Sequence, residues 1–213
     1  MSDSTFDFNV FIKESKDVLV NPKSYFSTMK TTGGMAEPLI KAVIYGAIAG
    51  ALAFLWSILN LGAITGGLFG GALGIMIFIG KIIASIIGLF IGAVILLVIS
   101  SICKGSTDFE ANVRVTAACM VIMPVSAFFG LASHFNVYLG SIIGLAVSLY
   151  GLWLLYNGLV EALKANKETA KIVIYILIAL TVLIMIFSIG ALGRTSRMMN
   201  EFKNINSTEL PQN

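Results

Sequence analysis

The sequence predicts an all-α, polytopic membrane protein with five transmembrane helices and a short amphipathic N-terminal region. Three observations lead there. Of 213 residues, 57% are hydrophobic and only 12% are charged, and the mean hydropathy is +0.93. A soluble domain of this length needs a polar surface that such a composition cannot supply, so lipid must cover part of it. Second, Asp, Glu, Lys and Arg are missing from four long runs: Ala42 to Gly80, Ile82 to Cys103, Val115 to Val160 and Ile172 to Gly193. Third, the charges in the second half of the chain gather in the islands Lys104 to Arg114 and Glu161 to Lys171, and in the polar tail after Gly193.

Residues 1–34 are expected to form a cytoplasmic amphipathic segment. Phe8, Phe11, Ile12, Val18 and Leu19 give a partial helical stripe, with Lys13, Glu14, Lys16 and Asp17 on other faces. Asn21-Pro22 ends that helix and starts another, because Asn caps well and Pro suits the first helical position. Two placements fit this composition: a segment lying on the membrane surface, or a small helical cap packed on the protein itself.

A helix needs about 20 residues to cross the hydrocarbon layer. The charge-free runs therefore hold spans at about 39–59, 75–103, 112–132, 138–160 and 172–192, within a membrane domain of 35–193. The stretch Asn60 to Gly80 holds seven glycines, at 62, 66, 67, 70, 71, 74 and 80. It fits a loop, an extension of the second span or a sixth span; a loop running into a long second span is favoured. Basic residues weigh the choice through the positive-inside rule. With five spans, Lys104, Arg114, Lys164, Lys167 and Lys171 join the N-terminus inside, against Lys81, Arg194, Arg197 and Lys203 outside. Pro124 should kink the third span. Thr107 and Glu110 fit a capping box for the helix that follows the first island, and Glu110 can pair with Arg114 four residues on. The fourth span ends on Tyr150, Trp153, Tyr156 and Asn157, an aromatic belt pattern. The tail 194–213 should be polar and disordered from about Lys203.

Gly62, Gly66, Gly70 and Gly74, with Gly140 and Gly144, have the small-residue spacing that lets helices approach closely in lipid. They are the candidates for helix packing and for a homo-oligomer. Asp108, Glu110, Arg114, Glu161, Lys164 and Lys167 form the candidate cytoplasmic surface for a protein partner. Cys103 and Cys119 read as small apolar residues within helices. No cluster of ligand residues predicts a metal or organic cofactor. The single His134 offers no nucleophile–base pair, so the chain is read as not an enzyme. The scattered net charge of +3 gives no basic patch for nucleic acid.

Several short motifs occur in a recognisable order. Asn21, Pro22, Tyr25 and Phe26 precede Gly-Gly-Met-Ala-Glu-Pro-Leu at Gly33 to Leu39. Phe-Glu-Ala-Asn-Val-Arg-Val follows at Phe109 to Val115, then Pro124, and then Tyr156, Asn157, Gly158, Leu159 and Glu161. In this order the chain resembles the Yip domain family of Ypt/Rab-interacting integral membrane proteins, in particular its short prokaryotic branch. Val113 stands where an aromatic residue is common, and Ala117-Ala118 replaces a small–aromatic pair. The resemblance implies five transmembrane helices and a cytosolic N-terminus. It implies GTPase partners and early secretory membranes for a eukaryotic member. For a prokaryotic one, in the cell inner membrane, it implies a fold without a known activity.

Two function classes follow from the residues. One is a non-enzymatic scaffold that organises the membrane through protein partners and self-association. The alternative is a small-solute or ion transporter or channel formed by the bundle or its oligomer. The middles of the spans lack the ionisable residues that usually mark coupled transport, which weighs against the second.

Overall fold

A computed structural model describes residues 7–59 and 70–208. Among them the chain is helical and without strands. The helices are α1 (Phe8–Val20), α2 (Pro22–Thr28), α3 (Ala36–Ile58), α4 (Gly70–Ile102), α5 (Phe109–Cys119), α6 (Ile122–Phe129), α7 (Ala132–Phe135), α8 (Val137–Asn157) and α9 (Lys167–Thr208). A π-helical turn, Gly158–Ala162, extends α8. Five segments are long and apolar enough to cross a membrane: Ala36–Ile58, Gly74–Ile102, Phe109–Phe129, Val137–Ala162 and Lys167–Ser188. The protein is an all-α polytopic membrane protein.

Local chemistry explains the boundaries. Asp7 caps α1 by accepting from the Asn9 and Val10 N–H groups at 2.8 and 3.2 Å. Asn21 separates α1 from α2 and caps α2 through the Ser24 N–H, with Pro22 in the first helical position. The helix after the first charged island starts one residue later than its capping-box pattern suggests. Asp108, not Thr107, is the cap, and its Oδ2 accepts from the Ala111 N–H at 2.8 Å. A carboxylate outcompetes a hydroxyl there because it also meets the positive end of the helix dipole.

The third span is interrupted at Met120 and Val121, between α5 and α6. Pro124 has no N–H for the Met120 carbonyl four residues back, and its ring would collide with that oxygen. The Met120 carbonyl instead accepts from the Met123 N–H at 2.9 Å. Asn136 restarts the chain into α8 by accepting from the Tyr138 and Leu139 N–H groups.

Two elements run further than their sequences suggest. α4 begins at Gly70, ahead of the expected Ile75. Glycine weakens a helix in water by about 1 kcal/mol, but an unpaired peptide group in lipid costs several, so helix wins at Gly70, Gly71 and Gly74. α9 continues to Thr208, through the stretch read as a disordered tail from about Lys203. Residues 194–208 contain neither Gly nor Pro, and Arg194, Arg197, Met198, Met199, Glu201 and Lys203 all favour helix.

Glycines pack the bundle from within. A Cβ at Gly46 would sit 2.3 Å from Ser85 Oγ, and one at Gly74 would sit 2.4 Å from the Phe54 ring. Both close the α3–α4 contact. Gly140 meets Ser133 in the same way, whereas a Cβ at Gly144 would meet nothing within 4 Å. Gly74 and Gly140 therefore have partners inside this chain. Gly62 and Gly66 lie outside the described residues. The exposed row Ile83, Ile87, Ile91, Ile95 and Val98 along α4 faces where lipid belongs.

The loops after α4 and after the π-helical turn meet at one end of the bundle. Ser106 N–H donates to the Leu163 carbonyl at 2.7 Å, and Asn166 N–H donates to the Cys103 carbonyl at 2.8 Å. Lys104 and Lys164 both take left-handed backbone there, each with φ 56°. Each sits just past a helix end, where a cation is favoured by the dipole. α2 packs at this same end: Phe26 is fully buried, and a Cβ at Gly158 would approach its ring at 3.5 Å.

Candidate functional site

The polar centre of the protein lies where the N-terminal segment meets α3 and α5. Lys41 is one turn after Glu37 on α3, so the two pair at 2.7 Å. Glu14, from α1, takes a second hydrogen of the Lys41 ammonium at 2.7 Å. Arg114 comes from α5 and divides its guanidinium among three acceptors. Nη1 donates to Glu37 at 2.9 Å, Nη2 to the Gly34 carbonyl at 3.0 Å, and Nε to Glu110 at 3.2 Å. Glu110 in turn accepts from the Gly34 N–H at 2.5 Å. The result is one connected chain, Glu14–Lys41–Glu37–Arg114–Glu110.

Both cations are buried, with Lys41 7% and Arg114 6% exposed. A buried charge is tolerated only when paired and hydrogen-bonded, so the carboxylates are a condition of the fold here. Gly33 and Gly34 make the approach possible. Their φ values of 133° and 93° favour glycine, and a side chain on Gly33 would come within 2.9 Å of Arg114.

Neutral contacts hold the same joint. Tyr45 and Ser15 hydroxyls lie 2.8 Å apart, and the Phe11 and Tyr45 rings are 5.2 Å apart. Tyr150, on α8, donates its hydroxyl to the Leu19 carbonyl. Phe11, Val18 and Pro22 are buried. The N-terminal segment is thus a cap packed on the bundle. A cleft of about 690 Å³ remains between α1, the linker and the start of α3. Lys13, Glu14, Tyr25, Lys30, Glu37 and Arg114 are among its walls. Burial, then the nearby Glu14 and Glu37 carboxylates, push the Tyr25 hydroxyl well above its usual range, so it stays neutral.

The residues expected to form an open partner surface divide into two groups. Arg114 and Glu110 do not lie open, because the linker and Glu37 cover them. Asp108 is used as a helix cap. Glu161 is half-buried in the π-helical turn, and its carbonyl accepts from Lys164 Nζ at 2.7 Å. Lys164 and Lys167 are exposed beside the paired loops, near the solvent-screened ion pair Lys171–Glu168 at 3.0 Å. Asn157, whose side chain donates to the Trp153 carbonyl at 2.8 Å, is committed to its own helix. Among the described residues, no three His, Cys, Asp or Glu side chains come together as a metal site would require.

Glu14, Glu37 and Lys41 were missed as site residues by the sequence reading. Glu37 and Lys41 did carry a signal, as an acid–base pair one turn apart at the mouth of the first apolar run. Glu14 carried none, since its partner is 27 residues away.

The matched family model, described as the Yip1 domain, covers residues 16–190. The chain belongs to the Yip1 domain family. No curated protein and no solved structure matches it. The Yip1 match begins inside α1 and ends near the close of the fifth span, so it takes in α2, the linker, Glu37, Lys41, Glu110 and Arg114. The charge lattice therefore lies within the Yip1 domain, apart from Glu14 at its edge.

Proposed function

We propose that this Yip1-domain protein is a non-enzymatic membrane scaffold that presents its capped, charged end to a protein partner on the cytoplasmic side. The observation that carries this is the use of the buried charges. Lys41 and Arg114 direct their donors at carboxylates and a backbone carbonyl of the same chain, which leaves them committed to holding the cap. The groups left for a partner are those on the rim: Lys13 and Lys30 at the cleft, and Lys104, Lys164 and Lys167 on the paired loops. Exposed lysines on the cleft rim and on the paired loops suit a partner that brings acidic residues to that end. Such charges act mainly on association rate and are weakened by salt.

A photo-crosslinking amino acid placed at Lys30 and at Lys167 should capture the same protein in intact cells, and one at Val137, at the far end, should not. Adding Lys13→Glu and Lys164→Glu should reduce the capture several-fold while leaving the protein's abundance unchanged. Capture at Val137 but at neither lysine position would contradict the proposal.

A further inference from the structure

We propose that α1 is an interfacial helix whose outer edge, Phe8 and Ile12, is seated in the acyl-chain boundary of the lipid leaflet beside α3. The contacts of α1 with α3 give the direction. Glu14 pairs with Lys41, while Ser15, the next residue, meets Tyr45, one turn further into the span. The edge of α1 carrying Ser15 therefore lies deeper than the edge carrying Glu14.

Successive helical residues are about 100° apart. Phe8 and Ile12 then lie roughly 20° and 60° beyond Ser15, on the side away from Glu14, while Leu19, in a direction between them, packs against the core. Lys13 and Asp17 lie on the opposite side, where they line the cleft. Phe8 is 57% exposed, although its ring stacks on Phe11 at 5.9 Å, and Ile12 is 51% exposed. The C-terminal end of α1 is tied to the span Val137–Ala162 as well. Its Leu19 carbonyl accepts from the Tyr150 hydroxyl of that span, so α1 is held against apolar helices at its middle and at its C-terminal end.

Lipid is the occupant because the patch continues a lipid-facing surface. Ile48, on α3 one turn past Tyr45 and so near the face that meets α1, is exposed. Lys16, at the margin of the apolar edge, is exposed and long enough to reach lipid phosphates while its methylenes stay in the apolar layer. This placement is independent of whether a protein partner occupies the cleft.

Spin labels test it in the full chain reconstituted into phosphatidylcholine–phosphatidylglycerol vesicles, in a Cys103→Ala, Cys119→Ala background. Labels at Phe8→Cys and Ile12→Cys should be reached by oxygen and shielded from a water-soluble nickel chelate. A label at Lys13→Cys should show the reverse. The oxygen-to-nickel ratio at Ile12→Cys should exceed that at Lys13→Cys several-fold. Nickel access at positions 8 and 12 equal to that at 13 would place the edge in water. Low access to both reagents would mean that protein, such as a second copy, covers it. Either result overturns the proposal.

Discussion

Arg114→Ala should lower the stability of the protein by about 3–5 kcal/mol, the range for removing one partner from a buried ion pair. The loss is large because Arg114 serves three acceptors: Glu37 on α3, the Gly34 carbonyl in the linker, and Glu110 on its own helix α5. Without it, Glu37 keeps Lys41, but the linker is left tied to α5 by the Gly34 N–H donating to Glu110. Arg114→Lys should be intermediate, since an ammonium cannot reproduce the planar fork that reaches all three at once. Thermal unfolding in detergent, followed with a thiol-reactive dye, reads this out. Cys103 is fully buried, and burial holds its thiol above the usual range, so it stays unreactive until the fold opens. An Arg114→Ala protein within about 0.5 kcal/mol of the parent, the range of ordinary surface substitutions, would show that the lattice does not hold the cap.

Gly158→Val should be the next most damaging change, costing on the order of 1–3 kcal/mol as an overpacked core site does. A Cβ there would lie 2.6 Å from Val115 Cγ1 and 3.5 Å from the Phe26 ring. Three elements meet at that glycine: α5, α2 and the π-helical turn. Room for one of them must be given up, and α2, at 7 residues against 11 for α5, is the shorter of these two helices. The expected signature is release of the N-terminal cap. Protease cleavage between residues 28 and 35 should accelerate in Gly158→Val, while the five spans stay protected in the membrane. Unchanged cleavage together with unchanged stability would mean that α2 does not depend on this close approach.

The five spans were legible because each charge-free run is bounded by charged residues or by a local break. Asn21-Pro22 was equally readable, since its capping chemistry is local. Long-range electrostatics were not. Nothing near Glu14 in sequence indicates Lys41, and Arg114 looks like an exposed loop-end cation until Gly34 and Glu37 are folded over it. The same limit explains Asp108 replacing Thr107 as cap: both types cap well, and only the helix start chosen by packing decides. Past Gly193 the polar composition suggests a disordered tail, whereas the absence of Gly and Pro from 194–208 favours the helix of α9.

Single-cysteine labelling in the Cys103→Ala, Cys119→Ala background tests the architecture most directly. Cysteines replacing Ser24, Thr107 and Lys167 sample the cap and the two loops, and one replacing Val137 samples the other end. With an impermeant maleimide applied from outside sealed cells, Val137→Cys should label. Ser24→Cys, Thr107→Cys and Lys167→Cys should label only after permeabilisation. Labelling of Ser24→Cys and Thr107→Cys from opposite sides of the membrane would contradict a cap docked on the paired loops.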